Sequence, residues 1–183
     1  MQAYTYTMRA RLIAILLAAL AAAVVAFRTQ KEDGGAHPSS ARVVRVVDGD
    51  TIHVRVHGRE ESVRLLGIDT PETHRPGTPI ECGGPQASAH LEALAPPGMP
   101  VQLEPDPTQD REDRYGRTLA YVRLPDGRLA EDAQLAAGWA TVYVFEGDPV
   151  ERDPEFRRSQ AAAREAGRGV WGACDGDFHS SGG

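Results

Sequence analysis

Apolar and polar residues alternate with a period of two through much of the first half of the chain. Ile52, Val54 and Val56 are interleaved with His53, Arg55 and His57. This pattern buries one face of a strand and leaves the other wet. A second β-branched run, Arg42 to Val47, precedes it across Asp48-Gly49-Asp50. Asp-Gly between two such runs is a strong hairpin signal. The pattern predicts strands over 42–47, 51–57, 61–67, 100–104 and 118–124, and an extended piece from Trp139 to Phe145. Helices are predicted over 84–95, 129–137 and 153–166. Pro96-Pro97-Gly98 ends the first of these, and Gly138 stops the second. Asp153-Pro154 reads as N-cap and first turn of the third, with Gly167 where a C-cap falls. Strands in a run with helices appended indicate an α+β fold. No internal repeat is visible.

The two ends depart from this pattern. Leu12 to Phe27 is a run of sixteen uncharged apolar residues behind Arg9 and Arg11. Residues 1–27 read as a secretory signal with a cleavage point near Val24-Val25-Ala26. The alternative is a retained signal anchor, membrane-bound through residues 12–27 and facing outside. Residues 28–40 have the composition of a flexible linker, and residues 175–183 that of a disordered tail. The Asp175-Gly176-Asp177 of the tail repeats the letters of the first motif without its strands. One folded domain is left over residues 41–174. Its two cysteines, Cys82 and Cys174, suggest one disulfide if the chain is exported. Two free thiols or a metal pair are the alternatives, although no Cys-x-x-Cys is present to favour zinc.

Chemistry concentrates in three segments. The first contains Asp48-Gly49-Asp50-Thr51, where turn geometry alone could account for both aspartates. The second is Arg64-Leu65-Leu66-Gly67-Ile68-Asp69-Thr70-Pro71-Glu72-Thr73. Arg64 interrupts an apolar strand and needs a carboxylate or a ligand as partner, because a lone charge in low dielectric is costly. Pro71 keeps Thr70 extended, which lets the Thr70 carbonyl and the Asp69 carboxylate address one ion. The third is Asp113-Arg114-Tyr115-Gly116-Arg117-Thr118, a charged turn entering a strand. Carboxylates that hold a hard cation, another that takes a proton from water, and guanidiniums that grip phosphate oxygens together suit a phosphodiester.

In this order and spacing the three segments closely resemble the staphylococcal nuclease (thermonuclease) family. The resemblance continues through Gly83-Gly84-Pro85-Gln86-Ala87-Ser88, Leu135 to Ala140, and Gly169-Val170-Trp171, and covers roughly residues 41 to 172. It implies a five-stranded OB-fold β-barrel with three helices. It also implies a Ca2+-dependent nuclease cutting DNA and RNA, single strands preferentially, to leave 3′-phosphate ends. Asp50 and Asp69 match the carboxylate ligands of calcium and Thr70 the carbonyl ligand. Glu72 matches the general base, and Arg64 and Arg117 the two phosphate clamps. Tyr115 and Tyr143 match aromatic residues of the nucleotide pocket. Phe145 stands where a second tyrosine is common, and the loop from Arg75 to Cys82 carries no lysine. The other ring residues are read as ordinary. Trp139 and Trp171 pack, and His53, His57 and His90 are surface or satisfied side chains.

Charge runs against this expectation. The chain has 26 acidic and 20 basic residues, a formal net charge of −6, and Lys31 is its single lysine. Nucleic-acid binders are usually basic, so substrate binding should be weak and salt-sensitive, with bound calcium reversing the local sign. Two competing readings are a non-catalytic OB module that binds single strands or a protein, and a domain that only binds calcium. The expected protein is a secreted monomer with no protein partner.

Overall fold

The computed structural model describes residues 38–73, 77 and 79–179. The N-terminal apolar run and most of the predicted linker lie outside the described residues. Among the described residues, no helix is long and apolar enough to cross a membrane.

Five strands close into a barrel: β1 (Ser39–Asp48), β2 (Thr51–Val56), β3 (Arg59–Leu65), β5 (Pro100–Glu104) and β6 (Thr118–Arg123). Their order is β1-β2-β3-β6-β5, with β5 returning to pair with β1. The β3–β6 pair is parallel and the others antiparallel. Alternation fills the interior as predicted, with Val43, Ile52, Val54, Val63, Leu65, Val101, Leu103 and Val122 buried. The β2–β3 hairpin turns at His57-Gly58, both at positive φ, as a tight hairpin whose twist matches its strands requires. Strand β1 carries two register irregularities, which bend it to close the barrel. It also starts earlier than its apolar pattern suggested. Ser39 and Ser40, read as linker, pair with Leu103 and Gln102.

The helices are α1 (Gly84–Leu94), α2 (Ala130–Ala137) and α3 (Asp153–Glu165), followed by a single turn, α4 (Val170–Ala173). Helix α1 buries Ala87 and Leu91 against the barrel. Helix α2 ends at Gly138, at φ 78°, where an added Cβ would lie 2.2 Å from the Arg168 carbonyl oxygen. That contact makes glycine obligatory and locks α2 to the chain entering α4. The start of α3 differs from expectation. Arg152 is the capping residue, and Asp153 is already helical, its carboxylate accepting from Arg157 Nε at 2.7 Å instead of capping the backbone. Phe156 fills the space between α3 and the barrel, edge-on to Tyr121. A two-stranded ladder, β4 (Ile68–Asp69) with β7 (Thr141–Val142), joins the end of the barrel wall to the segment after α2.

Cys82 and Cys174 form the disulfide, with Cα atoms 6.0 Å apart. Residues 175–179 do not form a loose tail after it, and residues 180–183 lie outside the described residues. Gly176 donates its N–H to the Val170 carbonyl and Asp177 to the Cys174 carbonyl. Phe178 is buried with its ring 4.9 Å from that of Trp171. Composition alone misread this segment, because one aromatic residue among glycines and aspartates is enough to anchor it.

Candidate active site

The Asp48-Gly49-Asp50 turn and strand β4 meet at one end of the barrel. Asp50 is buried, and each of its carboxylate oxygens is used. Oδ1 accepts the Thr51 hydroxyl at 3.0 Å. Oδ2 accepts the Thr70 N–H at 3.1 Å and the Thr70 hydroxyl at 3.0 Å. Asp48 does what turn geometry asks, accepting the Asp50 N–H. Asp50 does more, since it ties the hairpin to the strand twenty residues on. Gly49 is required by close approach. A Cβ there would sit 2.7 Å from Thr70 Oγ1 and 2.8 Å from the Ala87 side chain.

Arg64 lies between the aspartates. Its Nη2 is 3.1 Å from Asp50 Oδ2 and 3.0 Å from Asp69 Oδ1. Its Nη1 donates to the Leu65 and Ile68 carbonyls at 3.0 and 2.9 Å. Asp50, Arg64, Asp69 and Thr70 are therefore one contiguous array, and the partner that a strand arginine requires is present twice over.

The array is short of positive charge. Burial, and then the charge of Asp50, push the Asp69 carboxyl up against the pull of Arg64 and His179. Burial and the same Asp50 charge push Asp48 up to about 7. Two carboxylates thus share the Arg64 guanidinium, with Asp48 adjoining through its bond to the Asp50 N–H. The available donors are carboxylate and carbonyl oxygens, which suit a hard divalent cation such as calcium. Among the described residues no three His, Cys, Asp or Glu side chains converge as a ready-made cage. The predicted ligand set, two carboxylates with the Thr70 carbonyl, is of a sparser kind.

Glu72 follows on the chain. Its N–H donates to Glu81 Oε2 at 2.7 Å, its carbonyl accepts the Glu81 N–H at 3.0 Å, and its own carboxylate accepts the Thr73 N–H at 2.9 Å. Glu81 is buried and clamps the two sides of this loop together. Residues 74–76 and 78, inside the loop, lie outside the described residues.

Arg117 enters from β6. The parallel register pairs Thr118 with Val63, so Arg117 stands at the mouth of the strand beside Arg64's own. Asp113 holds it in place. Asp113 Oδ1 accepts the Tyr115 and Arg117 N–H groups, and Oδ2 accepts Arg117 Nε at 2.6 Å. Burial pushes the Asp113 carboxyl up, but these hydrogen bonds and the Arg117 charge outweigh it and hold the carboxyl below its ordinary value. Tyr115 is exposed, with the Arg117 guanidinium 5.7 Å from its ring. Tyr143, also exposed, is fixed by its N–H to the Gly67 carbonyl at 2.9 Å. Tyr115 precedes β6 and Tyr143 follows β7, where Phe145 is also exposed.

Three contributors were not visible beforehand. Gln134 in α2 is fully buried and donates to the Gly49 carbonyl at 2.6 Å and the Ala87 carbonyl at 3.0 Å. Its acceptor oxygen meets His90 Nδ1, so His90 is a satisfied side chain. Glu81 and His179 are the others, with His179 Nδ1 at 3.4 Å from Glu81 Oε2 and Nε2 at 3.7 Å from Asp69 Oδ2. Asp113 is a further contributor, and its Asp-x-x-Gly spacing to Gly116 is a turn signal that could have found it.

The chain is similar to proteins of one family. Residues 62–173 match the family described as staphylococcal nuclease homologue. Endonuclease YncB of Bacillus subtilis is 35% identical over 151 residues, 79% of this chain and 70% of its own length. A thermonuclease of Staphylococcus hyicus is 32% identical over 163 residues, 86% of this chain and 94% of its own. A thermonuclease of Staphylococcus intermedius is 40% identical over 119 residues, 61% of this chain and 69% of its own. With a barrel of the expected order and the Asp50–Arg64–Asp69 array at its end, the chain belongs to the staphylococcal nuclease family.

Proposed function

We propose that this chain is a calcium-dependent nuclease that hydrolyses phosphodiester bonds of DNA and RNA, cleaving the P–O5′ bond to leave 3′-phosphate ends. Membership of a family whose relatives are named thermonuclease and endonuclease supports a nuclease. The observation that carries the finer reading is the array in which Arg64 bridges Asp50 and Asp69, with Glu72 clamped beside it. Asp50, Asp69 and the Thr70 carbonyl are the residues to hold calcium, which when bound supplies Lewis-acid stabilisation of the phosphoryl oxygens.

The protein groups divide the remaining work. Glu72 accepts the proton of the attacking water as the new P–O bond forms. The P–O5′ bond breaks with its electron pair on the leaving oxygen, which takes a proton from water to become the 5′-hydroxyl, and Glu72 returns its proton to the resulting hydroxide. Arg117, aimed by Asp113, grips a non-bridging oxygen where negative charge builds. Arg64 adds a second positive charge from the floor of the site and keeps the two aspartates at fixed separation. Tyr115 and Tyr143 offer exposed rings to unstacked bases, which favours single strands. The net charge of −6 opposes substrate approach and makes binding sensitive to salt. Export, as a secreted monomer or on a retained anchor, belongs to the same proposal.

The test is digestion of heat-denatured DNA and of RNA by the purified protein with calcium and with EGTA. Calcium-dependent cleavage of both, reduced about a hundred- to ten-thousand-fold in Glu72→Gln, is the expected outcome. Cleavage that persists in EGTA would overturn the metal assignment. Binding of single strands without cleavage would instead make the chain a non-catalytic OB module.

A further inference from the structure

We infer that the segment Asp175–His179 is a built-in clasp of the active site, and that His179 is a positioning residue for Glu72, acting through Glu81. The inference rests on the nuclease reading for its catalytic consequence and on the geometry below for the contact itself.

The segment is fastened at both ends to the same short stretch of chain. At its start, Cys174 is bonded to Cys82, the residue after Glu81. At its far end, His179 returns to Glu81, with Nδ1 at 3.4 Å from Oε2. Between these points the backbone folds back on α4 through Gly176 and Asp177. Phe178 is buried against Trp171. The His179 N–H is itself held by Asp177 Oδ1 at 3.0 Å, which steadies the backbone from which the imidazole projects.

The position reached matters more than the packing. Glu81 Oε2 is the atom that accepts the Glu72 N–H at 2.7 Å. The other ring nitrogen of His179 faces Asp69 Oδ2 at 3.7 Å. One imidazole therefore spans the carboxylate that orients the general base and a carboxylate proposed to hold calcium. Glu81 is buried and its Oε2 accepts the Glu72 N–H, and a donor arriving from outside keeps it from rotating away. The imidazole is 63% exposed on its side chain, so it contributes little to the core, and its removal tests position instead of folding.

The experiment compares the full-length wild type with His179→Ala, His179→Gln and a chain ending after Asp177. Two quantities are read: steady-state kcat and KM on denatured DNA, and amide hydrogen exchange at Glu72 and Thr73. An outer-shell partner of this kind is expected to change kcat about ten- to a hundred-fold. His179→Ala and the truncation should both lower kcat by that factor with KM within about twofold, and should accelerate exchange at Glu72. His179→Gln, which keeps a donor, should recover most of the loss. Wild-type kcat and unchanged exchange in His179→Ala would overturn the inference. If the wild type cleaves nothing in calcium, the nuclease reading fails, and the exchange measurement still decides whether His179 holds the loop.

Discussion

The side-chain amide of Gln134 donates to the main-chain carbonyl of Gly49 at 2.6 Å, across 85 residues of sequence. Helix α2 thereby holds the turn that carries Asp50. The same amide reaches the Ala87 carbonyl, so α1, α2 and the turn meet at one buried side chain. Gln134→Ala leaves both carbonyls without this donor. Buried acceptors orphaned in this way cost about 1–3 kcal/mol each at most. The variant is expected to lose a few kcal/mol in urea unfolding and to bind calcium more weakly by titration calorimetry. A variant of unchanged calcium affinity would show that the turn holds Asp50 without help from α2.

Glu131, one turn earlier on α2, gives the protein a pH dependence. Its side chain is fully buried, Oε1 accepts the Val122 N–H at 2.9 Å, and Oε2 has no hydrogen-bond partner among the described residues. Burial pushes its carboxyl up to about 8. Between the ordinary carboxylate range and that value, the folded chain keeps a proton which the unfolded chain releases. Folding therefore loses stability as pH rises through that window, and the loss is complete above about 8. The cost at pH 9 relative to pH 5 is on the order of a few kcal/mol. Glu131→Gln keeps the acceptor without the charge, so it should be more stable than wild type at pH 9 and close to it at pH 5. Urea midpoints measured across that range give the answer, and parallel curves for the two proteins would refute the assignment.

The Cys82–Cys174 bond closes a loop of 92 positions. Chain-entropy arguments give roughly 4–5 kcal/mol for such a loop, and measured values commonly fall at about 2–4 kcal/mol. The Cys82→Ser, Cys174→Ser double variant is expected to lose stability in that lower range. The native unreduced protein should titrate no free thiol. Two titrated thiols, or a double variant as stable as wild type, would contradict this.

Much of this was legible in the chain because its signals are local. The hairpin at Asp48-Gly49-Asp50 and the Pro96-Pro97 stop are written in adjacent residues, and the structure reproduces them. Strand ends were harder where the residues are polar. Ser39, Ser40, Arg59 and Glu60 are in strands because their backbones pair with Leu103, Gln102, Val56 and Arg55, and no side-chain pattern advertises that. The same distinction governs the site. Asp50, Arg64, Asp69 and Thr70 were readable as a set because their chemistry demands charged and carbonyl oxygens beside an arginine. Gln134, Glu81 and His179 were not, since each serves a main-chain group or a carboxylate far away in sequence. The stretch from Asp175 to His179 has the letters of a loose tail, and the burial of Phe178 with the backbone bonds of Gly176 and Asp177 reverses that reading there.

Asp113 is the residue whose removal best separates the charge of Arg117 from its aim. It accepts the Arg117 guanidinium at 2.6 Å and also two backbone N–H groups of the turn before β6. The turn therefore carries Arg117 as a rigid unit, with Gly116 at φ 76° closing it. On the proposed mechanism Arg117→Ala removes a charge-assisted grip on the phosphate where charge builds, and turnover should fall by about 10²–10³ with the fold intact. Asp113→Ala leaves the guanidinium in place but loosens it, and a fall of about ten- to a hundred-fold is expected. If the two residues act as one unit, the double variant will be scarcely worse than Arg117→Ala, because an arginine that is absent has no aim to lose. Steady-state kcat on denatured DNA for the four proteins of the cycle measures this directly. Losses that multiply would place Asp113 in a role of its own.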